Sequence, residues 1–320
     1  MILCVTPSPA VDRTARVERF TPDRVLRPAD LRVLPGGKGV NVARVAHALG
    51  ALVATTGYAG GHAGQWLVEA LAAEGLNPRF VETALEMRTT YVLIDGARHA
   101  LLLYEPAAPV TDADVAGLMD LLRDELLPSA EYVVIAGSFP PPRDPAVAAA
   151  LVGLCREAGR PCLVDTTGTD LAAALGARPD TVKISLDEAE SSGIVIRGGR
   201  ASAQEAAAEL CRRGASRAIV TDGPRGAAAC DASGTWEVGV PQVRALSPVG
   251  SGDAFSAGLA VGLAGGRSFA DALAMGAAAG TANTQSLGAG QFLLSDYQAA
   301  LASVRVGRVG VPSRRAHGSD

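Results

Sequence analysis

Short apolar segments rich in β-branched residues alternate along the chain with longer segments in which apolar residues recur every three or four positions. ILCVT precedes VNVARVAHALG, and YVVIAG precedes AVAAALVGLCREAG. Repeated strands and helices build right-handed crossovers, which produce a mostly parallel sheet with helices on both faces. The pattern therefore predicts an α/β fold, a three-layer α-β-α sandwich with a mostly parallel central sheet.

Two segments interrupt this pattern, at residues 13–35 and 88–105. Neither has a long helical stretch, and the second is predicted to form two strands joined at Asp95-Gly96, a pair typical of turns. Strands that interrupt the core at two places have to pair outside its helical layers, so we expect a small β-sheet lid over a ligand site. The predicted division is a core of residues 1–12, 36–87 and 106–310, a lid of the two interrupting segments, and a flexible tail at 311–320.

The composition indicates a globular chain without a strongly charged surface. Hydrophobic residues make up 48% and charged residues 19%, and the formal net charge of -4 gives no basic field that would attract nucleic acid or a membrane surface. No apolar run is long enough to span a bilayer, and the first residues lack a signal-peptide pattern. The five cysteines have no C-x-x-C spacing, which indicates free thiols. We expect a cytoplasmic protein with a small-molecule ligand.

A glycine-rich turn, Gly250-Ser251-Gly252-Asp253, precedes the helical stretch FSAGLAVGLAGG. Glycines at a helix start let backbone N–H groups converge, and the helix dipole adds positive partial charge, so the turn is suited to hold an anion. A carboxylate there would repel a phosphate unless it takes a proton from an attacking hydroxyl. This interpretation makes Asp253 a general base and the amides of Gly250, Ser251 and Gly252 an anion hole. The alternative is that Asp253 only N-caps the helix.

A second glycine-rich loop, Gly36-Gly37-Lys38-Gly39, runs into the helical stretch VARVAHAL. It matches neither the phosphate-loop nor the dinucleotide-binding pattern. Its glycines let a small polar ligand approach the backbone, and Asn41 in the first helical turn can donate and accept hydrogen bonds toward hydroxyl groups. By itself, the segment also fits an ordinary turn that begins a helix.

GGKGVNVA and VGSGDAFSAGL together resemble the two signature segments of the PfkB or ribokinase-like carbohydrate kinases. The resemblance continues in order through TPSPAVDRT, MRTTYVLID, IAGSFPPP, VDTTG, VKISLDEAE and TDGPRGA. It implies a ribokinase-like fold and an ATP- and Mg²⁺-dependent phosphotransferase with an alcohol acceptor, and it leaves open a requirement for a monovalent cation. AGSFPPP, VDTTGTDLAAAL and Arg88 most resemble the branch of 1-phosphofructokinase, tagatose-6-phosphate kinase and minor 6-phosphofructokinases.

The resemblance implies substrate roles for several residues. Asp12, Gly37 and Asn41 are expected to bind sugar hydroxyls, although Asp12 would also fit as a turn cap. Ser138, after the strand YVVIAG, is expected to contact the sugar or its phosphate, and an ordinary turn serine is the alternative.

Arg88 leads a predicted lid strand. There its guanidinium would bind the phosphate of a phosphorylated ketohexose, with Lys38 as a second cation.

VKISLDEAE matches the family segment that reads Lys-Pro-Asn with a Glu three residues beyond the Asn. Lys183 is expected to neutralise nucleotide phosphates and Glu188 to orient water on Mg²⁺. Ile184 and Ser185 replace the Pro and Asn, which puts metal or nucleotide positioning in question. An acidic first helical turn that only complements the helix dipole is the alternative.

Four further positions on the nucleotide side follow from the resemblance. Thr221 and Gly223 flank an aspartate where the family often has leucine, and the direction of that aspartate is left open. Thr281 and Asn283 lie in GAAAGTANTQSLGAG, which resembles the segment around the adenine pocket. Packing of an alanine-rich helix explains this segment equally well.

The sequence therefore predicts transfer of the ATP γ-phosphoryl group to a hydroxyl of fructose 1-phosphate, fructose 6-phosphate or tagatose 6-phosphate. Two alternatives stay open. One is a kinase of an unphosphorylated sugar or nucleoside, and the other is a non-catalytic sugar-binding regulatory protein, suggested by Ser185. Exposed strand edges in the lid predict a homodimer that forms through the lid.

Overall fold

A computed structural model describes residues 1–20, 23, 25–97, 99–142, 144–194 and 202–309. The predicted tail at 311–320 lies outside these ranges.

The described strands are β1 Ile2–Thr6, β2 Ala10–Arg16, β3 Asp30–Gly36, β4 Val53–Gly60, β5 Asn77–Pro78, β6 Val81–Thr83, β7 Thr89–Ile94, β8 Ala100–Tyr104, β9 Tyr132–Ala136, β10 Cys162–Asp165, β11 Thr181–Ser185, β12 Arg217–Thr221, β13 Ala227–Asp231, β14 Gly234–Gly239 and β15 Arg305–Arg308. The described helices are α1 Lys38–Ala48, α2 Gly61–Ala73, α3 Asp112–Leu121, α4 Pro145–Glu157, α5 Gly168–Gly176, α6 Leu186–Ser191, α7 Ala203–Arg212, α8 Ser251–Ala264, α9 Phe269–Asn283 and α10 Leu294–Ser303. A π-helical turn at Leu122–Leu126 extends α3, and short 3-10 turns occupy Leu127–Ser129 and Gly223–Arg225.

The central sheet has eleven strands in the order β15-β14-β13-β12-β11-β10-β9-β1-β4-β5, with β6 also paired to β4. Strands β9 to β12, β1 and β4 run parallel, whereas β13, β14 and β15 form an antiparallel edge. Helices that follow parallel strands in sequence cover both faces. The predicted α/β sandwich is confirmed.

Alternation along the central strand β1 divides the core into two layers. All of β1 is buried, and side chains of successive strand residues point to opposite faces. Cys4 packs in the cluster that contains Val40 of α1, whereas Leu3 packs in the cluster that contains Leu151 of α4. Burial on both faces explains why the parallel strands are continuous apolar runs in the sequence.

The lid is a separate four-stranded sheet in the order β3-β2-β7-β8. Strands β2 and β3 are antiparallel, as are β7 and β8, while β2 and β7 are parallel. Pairing of β2 with β3 continues to Ala10 and Gly36, so the lid extends beyond the predicted segments 13–35 and 88–105. Asp12 therefore lies in a lid strand instead of in the core.

A small apolar cluster attaches the lid to the core. Val92 and Ile94 of β7 pack with Leu287, and Val249 borders the same cluster. Asp12, Thr90 and Val92 share one face of the lid because they occupy alternate or paired strand positions. The face that carries Asp12 is therefore turned toward the core. None of the helices in the described ranges combines the length and apolar character needed to cross a membrane.

Candidate active site

The carboxyl ends of the parallel strands bring polar residues of the motifs to one edge of the central sheet. Asp165 is the last residue of β10, Ser185 of β11 and Thr221 of β12. In open α/β sheets, ligands bind at this edge. Helix α1 begins at Lys38 and helix α8 at Ser251, and both helices supply side chains to the same place.

Asp165 is the centre of a buried charge cluster. Its Oδ1 accepts a hydrogen bond from Lys38 Nζ at 2.8 Å, and its Oδ2 accepts from Lys183 Nζ at 2.9 Å and from Ser256 Oγ at 3.2 Å. Burial alone would raise the pKa of Asp165, but the ammonium groups of Lys183 and Lys38 lower it to about 2. The sequence motifs assign no role to Asp165, although a carboxylate directly after the buried strand CLVD is itself a signal of a binding edge.

Lys38 connects this cluster to Glu188. Its Nζ donates to Glu188 Oε1 at 2.8 Å. Burial would lower the pKa of Lys38, but the carboxylates of Asp165 and Glu188 raise it, so the side chain stays charged. Lys38 is predicted to act beside Arg88 on a substrate phosphate. In the structure its ammonium group contacts Asp165 and Glu188, and Glu188 is the residue predicted to orient water on Mg²⁺.

Ser185 forms a capping box with Glu188 at the start of α6. Glu188 Oε2 accepts from the Ser185 backbone N–H at 2.8 Å and from its Oγ at 3.0 Å, while Ser185 Oγ accepts from the Glu188 N–H at 3.2 Å. A capping box satisfies two helix N–H groups at once. The serine that replaces the family asparagine therefore holds the Glu188 carboxylate in a fixed position.

Asp253 does not cap α8. The N-cap is Gly250, with φ of 81°, and Asp253 lies in the first turn with only 7% of its surface exposed. Its Oδ2 accepts a hydrogen bond from Asn41 Nδ2 at 2.8 Å. Burial and the charge of Asp165 raise the pKa of Asp253 to about 7, against the opposing effects of Lys38, Asn41 and Lys183. A buried carboxyl group with this pKa can act as a proton acceptor near neutral pH.

Lys183 lies against the start of α8. A Cβ atom added at Gly252 would be 2.7 Å from Lys183 Nζ. The lysine ammonium, the helix dipole and the backbone N–H groups of the turn all place positive charge at this point. The predicted anion-holding turn and the predicted phosphate-neutralising lysine are therefore neighbours.

Arg44 holds Asn41 in place. Arg44 Nη1 donates to Asn41 Oδ1 at 3.3 Å, which leaves the Asn41 amide nitrogen to donate to Asp253. Arg44 is itself fixed by Glu74, with Nε to Oε2 at 2.7 Å, and by the Pro35 carbonyl at 2.5 Å. The sequence motifs give Arg44 no role. Its spacing of three residues from Asn41 on a helix is the signal that places the two side chains on one face.

The lid contributes Asp12 and Arg88. Thr90 Oγ1 donates to Asp12 Oδ1 at 2.5 Å, and Arg88 Nη2 donates to the Ser8 carbonyl at 3.1 Å. Burial raises the pKa of Asp12. This rise is partly offset by hydrogen bonds from Thr90 and the Gly37 N–H and by the positive charges of Arg44 and Arg88. Thr90 has no predicted role, although it pairs with Asp12 across the two lid strands.

Each of the remaining predicted residues has a defined place in the fold. Gly37 is the N-cap of α1, and Ser138 follows β9. Gly223 belongs to a 3-10 turn after β12, and Thr281 is buried in α9. Asn283 supports the anion-holding turn from behind, since its Nδ2 donates to the Val249 carbonyl at 2.9 Å and its side chain has no exposed surface.

A bound Mg²⁺ would find few direct protein ligands here. Within the described ranges, no group of three or more His, Cys, Asp or Glu side chains could hold a metal ion. Mg²⁺ in phosphoryl-transfer sites keeps several waters and binds mainly to substrate phosphates. Both oxygens of Glu188 already accept hydrogen bonds from Lys38 and Ser185. The arrangement fits Glu188 as a partner of metal-bound water.

A buried carboxylate beside a glycine turn, below a small β lid on an α/β core, is the arrangement of a kinase that phosphorylates an alcohol group. The chain belongs to the pfkB family of carbohydrate kinases, whose model matches residues 3–295. The resemblance seen in the two glycine-rich motifs and the assignment as a phosphotransferase are thereby confirmed.

Solved structures of related proteins agree with this assignment. Phosphofructokinase-2 from Escherichia coli, in complex with potassium, is 28% identical with a TM-score of 0.85, over 94% of this chain and 98% of that chain. A Thermotoga maritima protein described as a possible 1-phosphofructokinase is 25% identical with a TM-score of 0.83, over 97% of this chain and 100% of that chain. Ribokinase from Thermotoga maritima, 18% identical with a TM-score of 0.76 over 95% of this chain and 99% of that chain, shares the fold.

Proposed function

We propose that this protein transfers the γ-phosphoryl group of ATP to a hydroxyl of a phosphorylated ketohexose, such as fructose 1-phosphate, fructose 6-phosphate or tagatose 6-phosphate. One observation carries the proposal. Asp253 is buried, accepts a hydrogen bond from Asn41, and lies in the first turn of α8 beside the glycines and Lys183. Burial raises its pKa to about 7.

Two sets of groups at this turn would perform proton transfer and charge stabilisation. Asp253 accepts the proton of the attacking hydroxyl, and Asn41 keeps the carboxylate oriented toward it. The N–H groups of Gly250, Ser251 and Gly252 and the Lys183 ammonium stabilise negative charge on the transferred group. Asp12, Gly37 and Asn41 bind the sugar hydroxyls, and the lid excludes water.

Bound ATP supplies the phosphoryl group, and bound Mg²⁺ neutralises charge on its phosphates. Glu188 would hold the metal through water, and Lys38 and Lys183 would neutralise the remaining phosphate charge. Ser185, Thr221, Gly223, Thr281 and Asn283 complete the nucleotide side. A monovalent cation is a further candidate, because Escherichia coli phosphofructokinase-2 was solved with potassium.

Arg88 makes a phosphorylated sugar the favoured substrate. Its guanidinium is half-buried on the lid side of the site, near Asp12, and Ser8 occupies only part of its donor capacity. Ser138, in the loop after β9, is the candidate hydroxyl for a contact with the sugar or its phosphate. Escherichia coli phosphofructokinase-2 was also solved in complex with fructose-6-phosphate.

Strand β8 suggests how the protein assembles. Leu101, Leu102, Leu103 and Tyr104 are all at least half exposed on this edge strand of the lid. Long apolar edge strands favour pairing with another chain, so we propose a homodimer that forms through the lid. Escherichia coli phosphofructokinase-2 has a tetrameric inhibited form. The five free cysteines suit a cytoplasmic location.

Replacement of Asp253 by Asn tests the mechanism. Turnover should fall by at least about a hundredfold, because a general base contributes about 10²–10⁴ to the rate, whereas sugar binding measured by calorimetry should persist. Near-normal turnover of Asp253→Asn would reject Asp253 as the base.

A substrate panel tests the acceptor. The wild-type protein is assayed with ATP and, in parallel, fructose 1-phosphate, fructose 6-phosphate, tagatose 6-phosphate, ribose and adenosine. The proposal expects the highest kcat/KM with a phosphorylated sugar. A higher kcat/KM with ribose or adenosine would favour the alternative of an unphosphorylated acceptor.

A further inference from the structure

A cavity of about 20 Å³ lies beside Arg88, between the turn after β1, the end of β4 and the segment after β8. Its polar lining residues are Ser8, Tyr58, Thr83 and Arg88, and most of the rest of the lining is apolar. A volume of this size accommodates one water-sized group. The cavity thus adjoins the guanidinium that we assign to the substrate phosphate.

Two buried polar atoms belong to residues of this lining. Tyr58 is 5% exposed, and neither its Oη nor Arg88 Nε has a hydrogen-bond partner among the described residues. Arg88 Nη2, by contrast, is satisfied by the Ser8 carbonyl. An unsatisfied buried donor is costly, and in native proteins such groups are nearly always paired with protein or an ordered water.

We propose that Tyr58 Oη and Arg88 Nε together bind one oxygen ligand in this cavity, and that Tyr58 thereby positions the Arg88 guanidinium for the substrate phosphate. An oxygen atom can accept from both groups, whether it belongs to a water or to the phosphate itself. The inference rests on the proposed role of Arg88. Tyr58 is a positioning residue, because it acts on the substrate through Arg88.

The chemistry of Tyr58 supports this role. Burial raises the pKa of the Tyr58 hydroxyl, so it remains a neutral donor throughout the working pH range. Its ring packs in the apolar layer that also contains Leu118 of α3. Phenylalanine at this position would keep that packing and remove only the hydroxyl.

The test compares Tyr58→Phe with Tyr132→Phe. Tyr132 is a matched control, since it is buried and its hydroxyl bonds to Thr181 at 3.2 Å within the central sheet. For the preferred sugar phosphate, Tyr58→Phe should raise KM about three- to tenfold with kcat little changed, because one charge-assisted contact is weakened. The KM for unphosphorylated fructose should stay constant. Tyr132→Phe should leave both KM values unchanged.

Arg88→Ala separates the two proposals. A higher KM for sugar phosphates in Arg88→Ala, together with an unchanged KM in Tyr58→Phe, would overturn only the role of Tyr58. An unchanged KM in Arg88→Ala would instead reject the proposed phosphate role of Arg88.

Crystal structures determined with and without added inorganic phosphate show directly whether an oxygen atom lies within hydrogen-bond distance of Tyr58 Oη and Arg88 Nε. A density peak between Tyr58 Oη and Arg88 Nε in both crystals would identify water, and a peak that merges with phosphate would identify the anion. Density in neither crystal would overturn the proposed oxygen site.

Discussion

Asn41 and Asp253 form the contact that sets the pH dependence of the proposed reaction. A hydrogen bond to the ionised form of a carboxyl group lowers its pKa, and Asn41 has this effect on Asp253. Asn41→Ala should therefore raise the pKa of Asp253 above about 7. The rising limb of kcat/KM against pH should shift upward by about half to one pH unit. Asn77→Ala, at an exposed position in β5, is the control. If the rising limb of the pH profile does not move, it reports the titration of a group other than Asp253.

The ionised Asp253 carboxylate should also lower the free energy of unfolding at neutral pH. Its pKa is raised from 3.8 to about 7 in the folded protein. A carboxyl group with a raised folded pKa favours folding below its unfolded pKa, and this contribution is lost as pH rises from 3.8 to about 7. Asp253→Asn should be more stable than the wild type at pH 8 by a few kcal/mol, on the order of 1.4 per pKa unit.

Thermal or urea unfolding at pH 4 and pH 8 measures this effect. The advantage of Asp253→Asn should shrink toward pH 4, where the wild-type carboxyl group is protonated in the folded state. A pH-independent difference between the two proteins would contradict the raised pKa.

The pKa of Asp165 is shifted in the opposite direction, so its contribution to stability has the opposite pH dependence. Its pKa of about 2 lies below the usual 3.8, so it stabilises the fold above pH 3.8 and loses this effect as pH falls toward 2. Asp165→Asn leaves two lysine ammonium groups without their shared partner and should destabilise the protein by about 3–5 kcal/mol at pH 7. Asp120→Asn, which breaks an exposed pair with Arg123, should cost less than about 1 kcal/mol. Urea unfolding measures the stability that each variant loses. Equal losses in Asp165→Asn and Asp120→Asn would argue against a stabilising role of the buried charge cluster.

At the scale of elements, periodicity predicted the layers better than it predicted where strands end. The pattern around Asp95-Gly96 correctly indicates the β7–β8 hairpin, because alternation and a turn pair are local signals. The ends of β2 and β3 depend on pairing between Ala10 and Gly36, which are distant in sequence. The sequence pattern therefore places Asp12 at the end of a core segment, whereas the structure has it in β2 of the lid.

The junction between β3 and α1 depends on close packing that a local pattern cannot show. A Cβ atom at Gly36 would be 2.0 Å from the Asp12 carboxyl carbon. Gly36→Ala should displace Asp12 and raise the KM for sugar about tenfold, since a carboxylate contact to the sugar hydroxyls is lost. Gly153→Ala in α4, where an added Cβ meets no atom within 4 Å, is the matched control. It should leave KM unchanged and stabilise the helix by up to about 1 kcal/mol. An unchanged KM in Gly36→Ala would remove Asp12 from sugar binding.

At the scale of the molecule, the two glycine-rich motifs identify the family, but they do not predict the contacts among their residues. GGKG and GSGD lie more than two hundred positions apart, yet Asn41 and Asp253 are hydrogen-bonded with a separation of 212 residues. The meeting of Lys38, Lys183 and Asp165 likewise depends on which strands are neighbours, since β10 and β11 are adjacent in the sheet. Sequence spacing does not encode that order, so the motifs alone cannot predict the contacts among these three residues.

The proposed assembly through the lid edge can be tested on strand β8. Leu103 on β8 is 60% exposed, and Leu52 outside the lid is 79% exposed. A lysine in an edge strand opposes strand pairing between chains because it places charge where backbone and apolar groups would be buried. Leu103→Lys should therefore convert a dimer into a monomer in sedimentation velocity experiments, whereas Leu52→Lys should leave the dimer intact. Persistence of the dimer in Leu103→Lys would place the interface elsewhere. If the lid of one subunit supports that of its partner, the monomer should also show a higher KM for sugar, because the lid carries Asp12 and Arg88.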